Sequence, residues 1–111
     1  MVTHLFTHRD CLFHDTGTGH PERADRLRMV LHKLDGEEFA DLIWHEATLA
    51  ERSLIELAHE KNYVDKIEES YPDKGVVQLD PDTFVSPGSR NAALRSVGAV
   101  RDAVEIGRAH V

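Results

Sequence analysis

The stretch VTHLFTHRDCLFHDTGTGHPERADRLRMVLHKLDG, residues 2–36, decides the fold class. Residues 2–6 mix apolar and β-branched types over a strand's length and stop at His8-Arg9-Asp10, which predicts a first strand. Residues 15–20, DTGTGH, hold two glycines and two threonines, too many breakers for the interior of a helix or strand, and predict a loop. Pro21 suits a first helical turn, and Glu22 sits where an acid complements the helix dipole. Leu27, Val30, Leu31 and Leu34 then recur at helical spacing as one apolar stripe. Arg23, Arg26, Arg28 and Lys33 fall largely off that stripe, and Gly36 closes the helix. Strand, glycine-bearing loop and helix in this order make the chain α/β.

Working outward, Leu42, Ile43 and Trp44 form a short apolar run that predicts a second strand. Thr48 and Glu51 have the spacing of a capping box, in which each side chain satisfies a free backbone donor. The helix this predicts covers residues 49–59 and turns Leu54, Leu57 and Ala58 inward. Asn62 can cap a further helix carrying Tyr63, Val64, Ile67 and Tyr71 until Pro72 stops it. Gly75 begins a turn, residues 76–79 are expected to be extended, and Asp80-Pro81-Asp82-Thr83 reads as loop. Ser86 as cap and Pro87 at the first helical position predict a last helix through about Val104. Its small residues Ala92, Ala93, Ser96, Gly98, Ala99 and Ala103 invite close approach of another element, which predicts packing inside something larger than these 111 residues. Residues 107–111 offer no clear closing element.

The 111 residues, 41% hydrophobic and 30% charged, leave room for one modest core and no second domain. A chain of this length buries only roughly two-thirds of its unfolded surface, so its stability margin is thin. Thirteen Lys+Arg against twenty Asp+Glu give a formal charge of −7, and no basic stripe exists to replace phosphate counterions, which argues against nucleic acid as a partner. Cys11 is the single cysteine, which excludes an internal disulfide and fits a reducing compartment. The opening MVTHLFTHRD lacks the apolar run of a signal peptide or membrane span, so a cytoplasmic location and no membrane partner are expected.

Eight histidines raise a metal reading, above all Cys11, His14 and His20 in one glycine-bearing loop. The spacing matches no firm zinc pattern, and hydrogen bonding within a loop explains the same residues. His59, near Tyr63, suits a helix-end dipole partner or a core hydrogen bonder. Asp80 and Asp82 flank Pro81 and could present carboxylates at a loop tip, although turn formation alone also accounts for them. No nucleophile elbow, phosphate-binding loop or dinucleotide fingerprint occurs.

Three blocks taken together, CLFHDTGTGHPERADRL at 11–27, LAHEKNYV at 57–64 and LDPDTFVSPGSRNAALRSVGAV at 79–100, resemble the N-terminal part of the histone deacetylase family. Its bacterial members include acetoin-utilisation proteins and acetylpolyamine amidohydrolases. The resemblance implies the N-terminal portion of an arginase-like fold, a parallel sheet flanked by helices and helix-rich in this segment. It also implies a deacetylase whose complete form uses a zinc-bound water to hydrolyse an acetyl amide of lysine, a polyamine or another small molecule. By the same resemblance Arg23 lines an internal channel, and Asp82, or else Asp80, is a rim residue that holds substrate. The family's paired histidines, zinc ligands and tyrosine come later than this sequence extends. The segment is therefore expected to be an inactive fragment that carries no catalytic residue and binds no zinc. A non-catalytic α/β binding module, with possible self-association, is the alternative reading.

Overall fold

The protein, described here by a computed structural model, is defined over residues 2–109; Met1, His110 and Val111 lie outside the described residues, and with them the end of the expected unclosed segment. Strand β1 (His4–Thr7) pairs in parallel with β2 (Ile43–Glu46), with His4 opposite Ile43 and Thr7 opposite Glu46. Parallel neighbours cannot be joined by a hairpin and need a crossover. A 3-10 turn (Arg9–Phe13) and helix α1 (Ala24–Leu34) supply it. The α/β reading therefore holds, and the first strand starts two residues later than its sequence suggests. The imidazole of His45 stacks on Phe6, its partner in register, and lies 2.8 Å from a ring nitrogen of His4.

Helix α1 begins at Ala24 with Arg23 as its extended N-cap, so Pro21 and Glu22 precede the helix instead of forming its first turn. The Glu22 carbonyl is occupied by the buried Thr16 hydroxyl, which donates to it and draws the chain out of helical geometry there. The expected stripe is only partly covered: Leu27, Leu31 and Leu34 are half-buried, whereas Val30 is exposed.

The capping box at Thr48 does not form. Its N–H and its hydroxyl both donate to the Asp102 carboxylate, at 2.9 and 3.0 Å, and the hydroxyl oxygen accepts from Arg101, so the side chain is committed to the last helix. In place of a helix over 49–59, α2 is the single turn Arg52–Ile55, and Leu57 is 82% exposed instead of turning inward. Helix α3 (Lys61–Ser70) buries Val64 and ends before Pro72, as expected, but starts at a Glu60 cap and not at Asn62.

Gly75, with φ +75°, turns the chain into β3 (Val77–Asp80), which pairs antiparallel with β4 (Thr83–Val85). The Asp80–Thr83 stretch is thus the end of a hairpin, and β4 is a strand not foreseen. Helix α4 (Ser89–Ala109) starts beyond Pro87 and runs past Val104. Ser86 and Ser89 still mark the start, because the Ser89 hydroxyl accepts the Ser86 N–H at 2.8 Å.

Helix α4 packs on β1, on the Arg9–Phe13 turn and on α2. Gly98 makes this possible, since a Cβ there would lie 1.9 Å from the Thr48 carbonyl oxygen. Part of the small-residue face is therefore consumed inside the chain, at Ala92 and Gly98, while Ala93, Ser96 and Ala103 stay exposed. Arg95 fastens the joint: its Nε donates to Asp10 at 2.9 Å and its Nη1 to the Ala47 carbonyl at 3.0 Å. The buried apolar residues, Ala47, Ala50, Val64, Val85, Ala92 and Leu94, are mostly small. The accessible surface is 8113 Å², against about 6,200 Å² for an ordinary folded monomer of the chain's 12.5 kDa. Val100 and Val104 on α4 belong to that excess.

Candidate functional site

The glycine loop between the Arg9–Phe13 turn and α1 is anchored from both ends. On one side the Asp15 N–H donates to the Ser86 hydroxyl at 3.0 Å, and His14 Nδ1 lies 2.7 Å from the buried Ser89 hydroxyl. Among the described residues no carboxylate is bonded to His14, so this serine–histidine contact ties loop to helix and lacks the third member of a hydrolytic triad. On the other side His20 Nε2 donates to the Asp82 carbonyl at 3.0 Å and His20 Nδ1 accepts the Glu22 N–H at 3.0 Å. Phe84 packs edge-to-face on the same ring, with centroids 5.2 Å apart.

Three clefts adjoin this loop; the largest, of about 620 Å³, lies between it and the start of α1, and the other two carry the histidines and Asp82. One, of about 500 Å³, lies between the loop and the hairpin and is lined by Gly17, Gly19, His20, Pro81, Asp82 and Phe84. The other, of about 320 Å³, lies between the loop and α4 and is lined by Cys11, His14, Arg23, Arg26, Ser89 and Ser96. Gly17 and Gly19 adopt φ of +89° and +85°, which side-chain-bearing residues rarely reach, and so let the loop wind between the clefts.

The two aspartates are chemically distinct. Asp80 Oδ1 accepts the Asp82 N–H at 2.9 Å, and hydrogen bonds from Asp82 and Thr83 hold the Asp80 carboxyl below the usual aspartate range. Asp82 has its N–H and its carbonyl engaged, while its carboxylate meets no hydrogen-bonding or ionic partner among the described residues. A depressed folded-state pKa contributes stability above the ordinary aspartate pKa and loses it as pH falls through the folded one. Side-chain carboxyl NMR is therefore expected to give Asp80 a titration midpoint below that of an unstructured aspartate, with the Asp80–Asp82 turn loosening below it. A midpoint at the ordinary value would mean that the turn does not persist in solution.

Arg23 lines the smaller cleft, and its guanidinium is paired with no carboxylate among the described residues. Glu22 and Asp25, its nearest acids in sequence, are taken by Arg26 at 3.0 Å and Arg28 at 2.8 Å. Arg26, which was not singled out from the sequence, lines the same cleft, and its place four residues after Glu22, which it pairs, was the available signal. Cys11, His14 and His20 do not converge: the thiol faces the Ala92 carbonyl, His14 faces Ser89 and His20 faces the hairpin. Burial, with Asp10 adding, pushes the Cys11 thiol up, which opposes the thiolate a metal would need. Among the described residues no three His, Cys, Asp or Glu side chains gather as a metal site, so the residues present do not fit a catalytic zinc. His59 is exposed, with its ring 5.3 Å from Tyr63. No described helix is long and apolar enough to cross a membrane.

The arrangement of glycine loop, hairpin and long helix matches known proteins. The model of the histone deacetylase domain matches residues 20–107. The chain belongs to the histone deacetylase family. It is 30% identical, over 95% of its own length, to histone deacetylase 8 of Arabidopsis thaliana, of which it spans 33%. The crystal structure of the HDA15 HD domain superposes on 92% of the chain with a TM-score of 0.77 at 19% identity, and the chain spans 31% of it. The chain thus covers about a third of each of these two proteins. The α/β arrangement agrees with the arginase-like deacetylase fold expected from the sequence. These findings do not support the narrower bacterial acetoin-utilisation or acetylpolyamine subtype.

Proposed function

We propose that this chain supplies the substrate rim and one wall of an internal cleft to a zinc-dependent deacetylase acting on acetyl-lysine or a similar acetylated amine. The observation that carries this reading is the division of labour at the hairpin: Asp80 holds the turn, while the Asp82 carboxylate, unpaired among the described residues, stands beside the 500 Å³ cleft. A carboxylate there can accept the N–H of an amide or the charge of an amine, a charge-assisted bond stronger than a neutral one. Arg23, unpaired at the smaller cleft, suits the orientation of water or a carboxylate product. The ligands of a zinc that would supply Lewis-acid chemistry are not among these residues and would have to come from other parts of such a domain.

The test is a chimera in which this chain replaces the matching third of histone deacetylase 8. It is expected to hydrolyse acetyl-lysine peptides, with Asp82→Asn lowering kcat/KM by about tenfold, the order of one charge-assisted bond. Asp80→Asn should act mainly through the turn, and Arg23→Ala should lower turnover more than stability. A folded but inactive chimera, or one indifferent to Asp82→Asn, would sink the rim assignment.

A further inference from the structure

His20 stands where the two halves of the candidate site meet, and both of its ring nitrogens are engaged. His20 Nδ1 lies 3.0 Å from the Glu22 nitrogen and 3.2 Å from the Glu22 carbonyl oxygen, while Nε2 lies 3.0 Å from the Asp82 carbonyl oxygen, which can only accept; the neutral ring meets both 3.0 Å contacts only with its proton on Nε2. The Asp82 N–H is already given to Asp80. The peptide groups on both sides of Asp82 are thus held by side chains from two different segments, while its carboxylate stays free. Phe84 against the imidazole limits ring rotation.

We propose that His20 is a positioning residue whose Nε2–H tautomer clamps the hairpin tip to the glycine loop and so fixes the direction in which Asp82 presents its carboxylate to an amine or amide substrate. The substrate half of this statement rests on the function proposed above; the clamp does not. Since Glu22 is followed directly by Arg23, the same ring also sets the rim carboxylate and the cleft guanidinium in one frame.

The clamp can be read in the 111-residue chain itself, without an activity assay. Long-range ¹H–¹⁵N correlation on the imidazoles at neutral pH is expected to show His20 as the Nε2–H tautomer. His20→Ala should speed amide exchange at residues 82–84 by roughly five- to tenfold, the effect of one lost hydrogen bond, while leaving α3 unchanged. His20→Gln, whose amide N–H can stand in for Nε2–H, should restore most of the protection. The Nδ1–H tautomer in the unmutated chain would overturn the proposal whether or not the variants fold. So would unchanged exchange in His20→Ala, a loss spread evenly over the molecule, or a Gln variant as loose as the Ala one. An inactive chimera with an intact clamp would instead count against the deacetylase reading alone.

Discussion

Gly98→Ala is expected to destabilise the chain by about 3 kcal/mol or more, enough to unfold much of it. In an exposed helix interior the same exchange ordinarily stabilises by about 0.5–1 kcal/mol. Here the new methyl would lie 1.9 Å from the Thr48 carbonyl oxygen, which is backbone and cannot rotate away. Thr48 is itself held by Asp102 from the next turn of α4, so helix and loop must part together. Overpacking costs typically about 1–3 kcal/mol, and more where backbone has to move. Gly107→Ala is the matched control, because nothing lies within 4 Å of its Cβ position on the same helix. Urea melts followed by circular dichroism should move in opposite directions for the two variants. A Gly98→Ala chain as stable as the parent would show that α4 does not approach Thr48 in solution.

Arg95→Ala is the second large effect, expected at about 2–3 kcal/mol. Two bonds from a charged donor are lost, to Asp10 and to the Ala47 carbonyl, each of which would be worth about 1.5–3 kcal/mol if fully shielded. Both side chains are 23% exposed, and solvent reduces the sum. The damage extends to Asp10, whose carboxylate loses the guanidinium that neutralises it. A double-mutant cycle with Asp10→Ala should give a coupling of about 1 kcal/mol or more. Simple additivity of the two substitutions would mean that the ion pair contributes nothing and that Arg95 acts through Ala47.

Both effects turn on long-range contacts, and this is where the sequence was least legible. The glycine loop, the spacing of the stripe on α1 and the C-terminal end of α3 could be read locally, because breakers, periodicity and Pro72 act within a few residues. Thr48 could not be. Its spacing to Glu51 satisfies a local rule, but Asp102, 54 positions away, outcompetes it for the side chain and leaves α2 a single turn. Strand β4 went unseen because Thr83, Phe84 and Val85 are three residues beside a proline, too few to show alternation. At the site, the acids and Arg23 were visible as residue types, whereas the separation of Asp80 from Asp82 depends on which carboxylate the turn uses. His20 shows the same limit: as a histidine near a cysteine it suggested a metal, and only the hairpin's return across 62 positions shows what it binds.

The 8113 Å² of accessible surface bears on how the chain responds to temperature. Folding removes about one-sixth less surface from water than it would in a self-contained chain of equal mass. The heat-capacity increment of unfolding follows that surface, so the curve of stability against temperature is both lower and flatter than usual. Enthalpy and entropy of unfolding then change about one-sixth less steeply with temperature than in such a chain. Whatever covers the exposed valines of α4 sharpens the curvature of that dome as well as raising it.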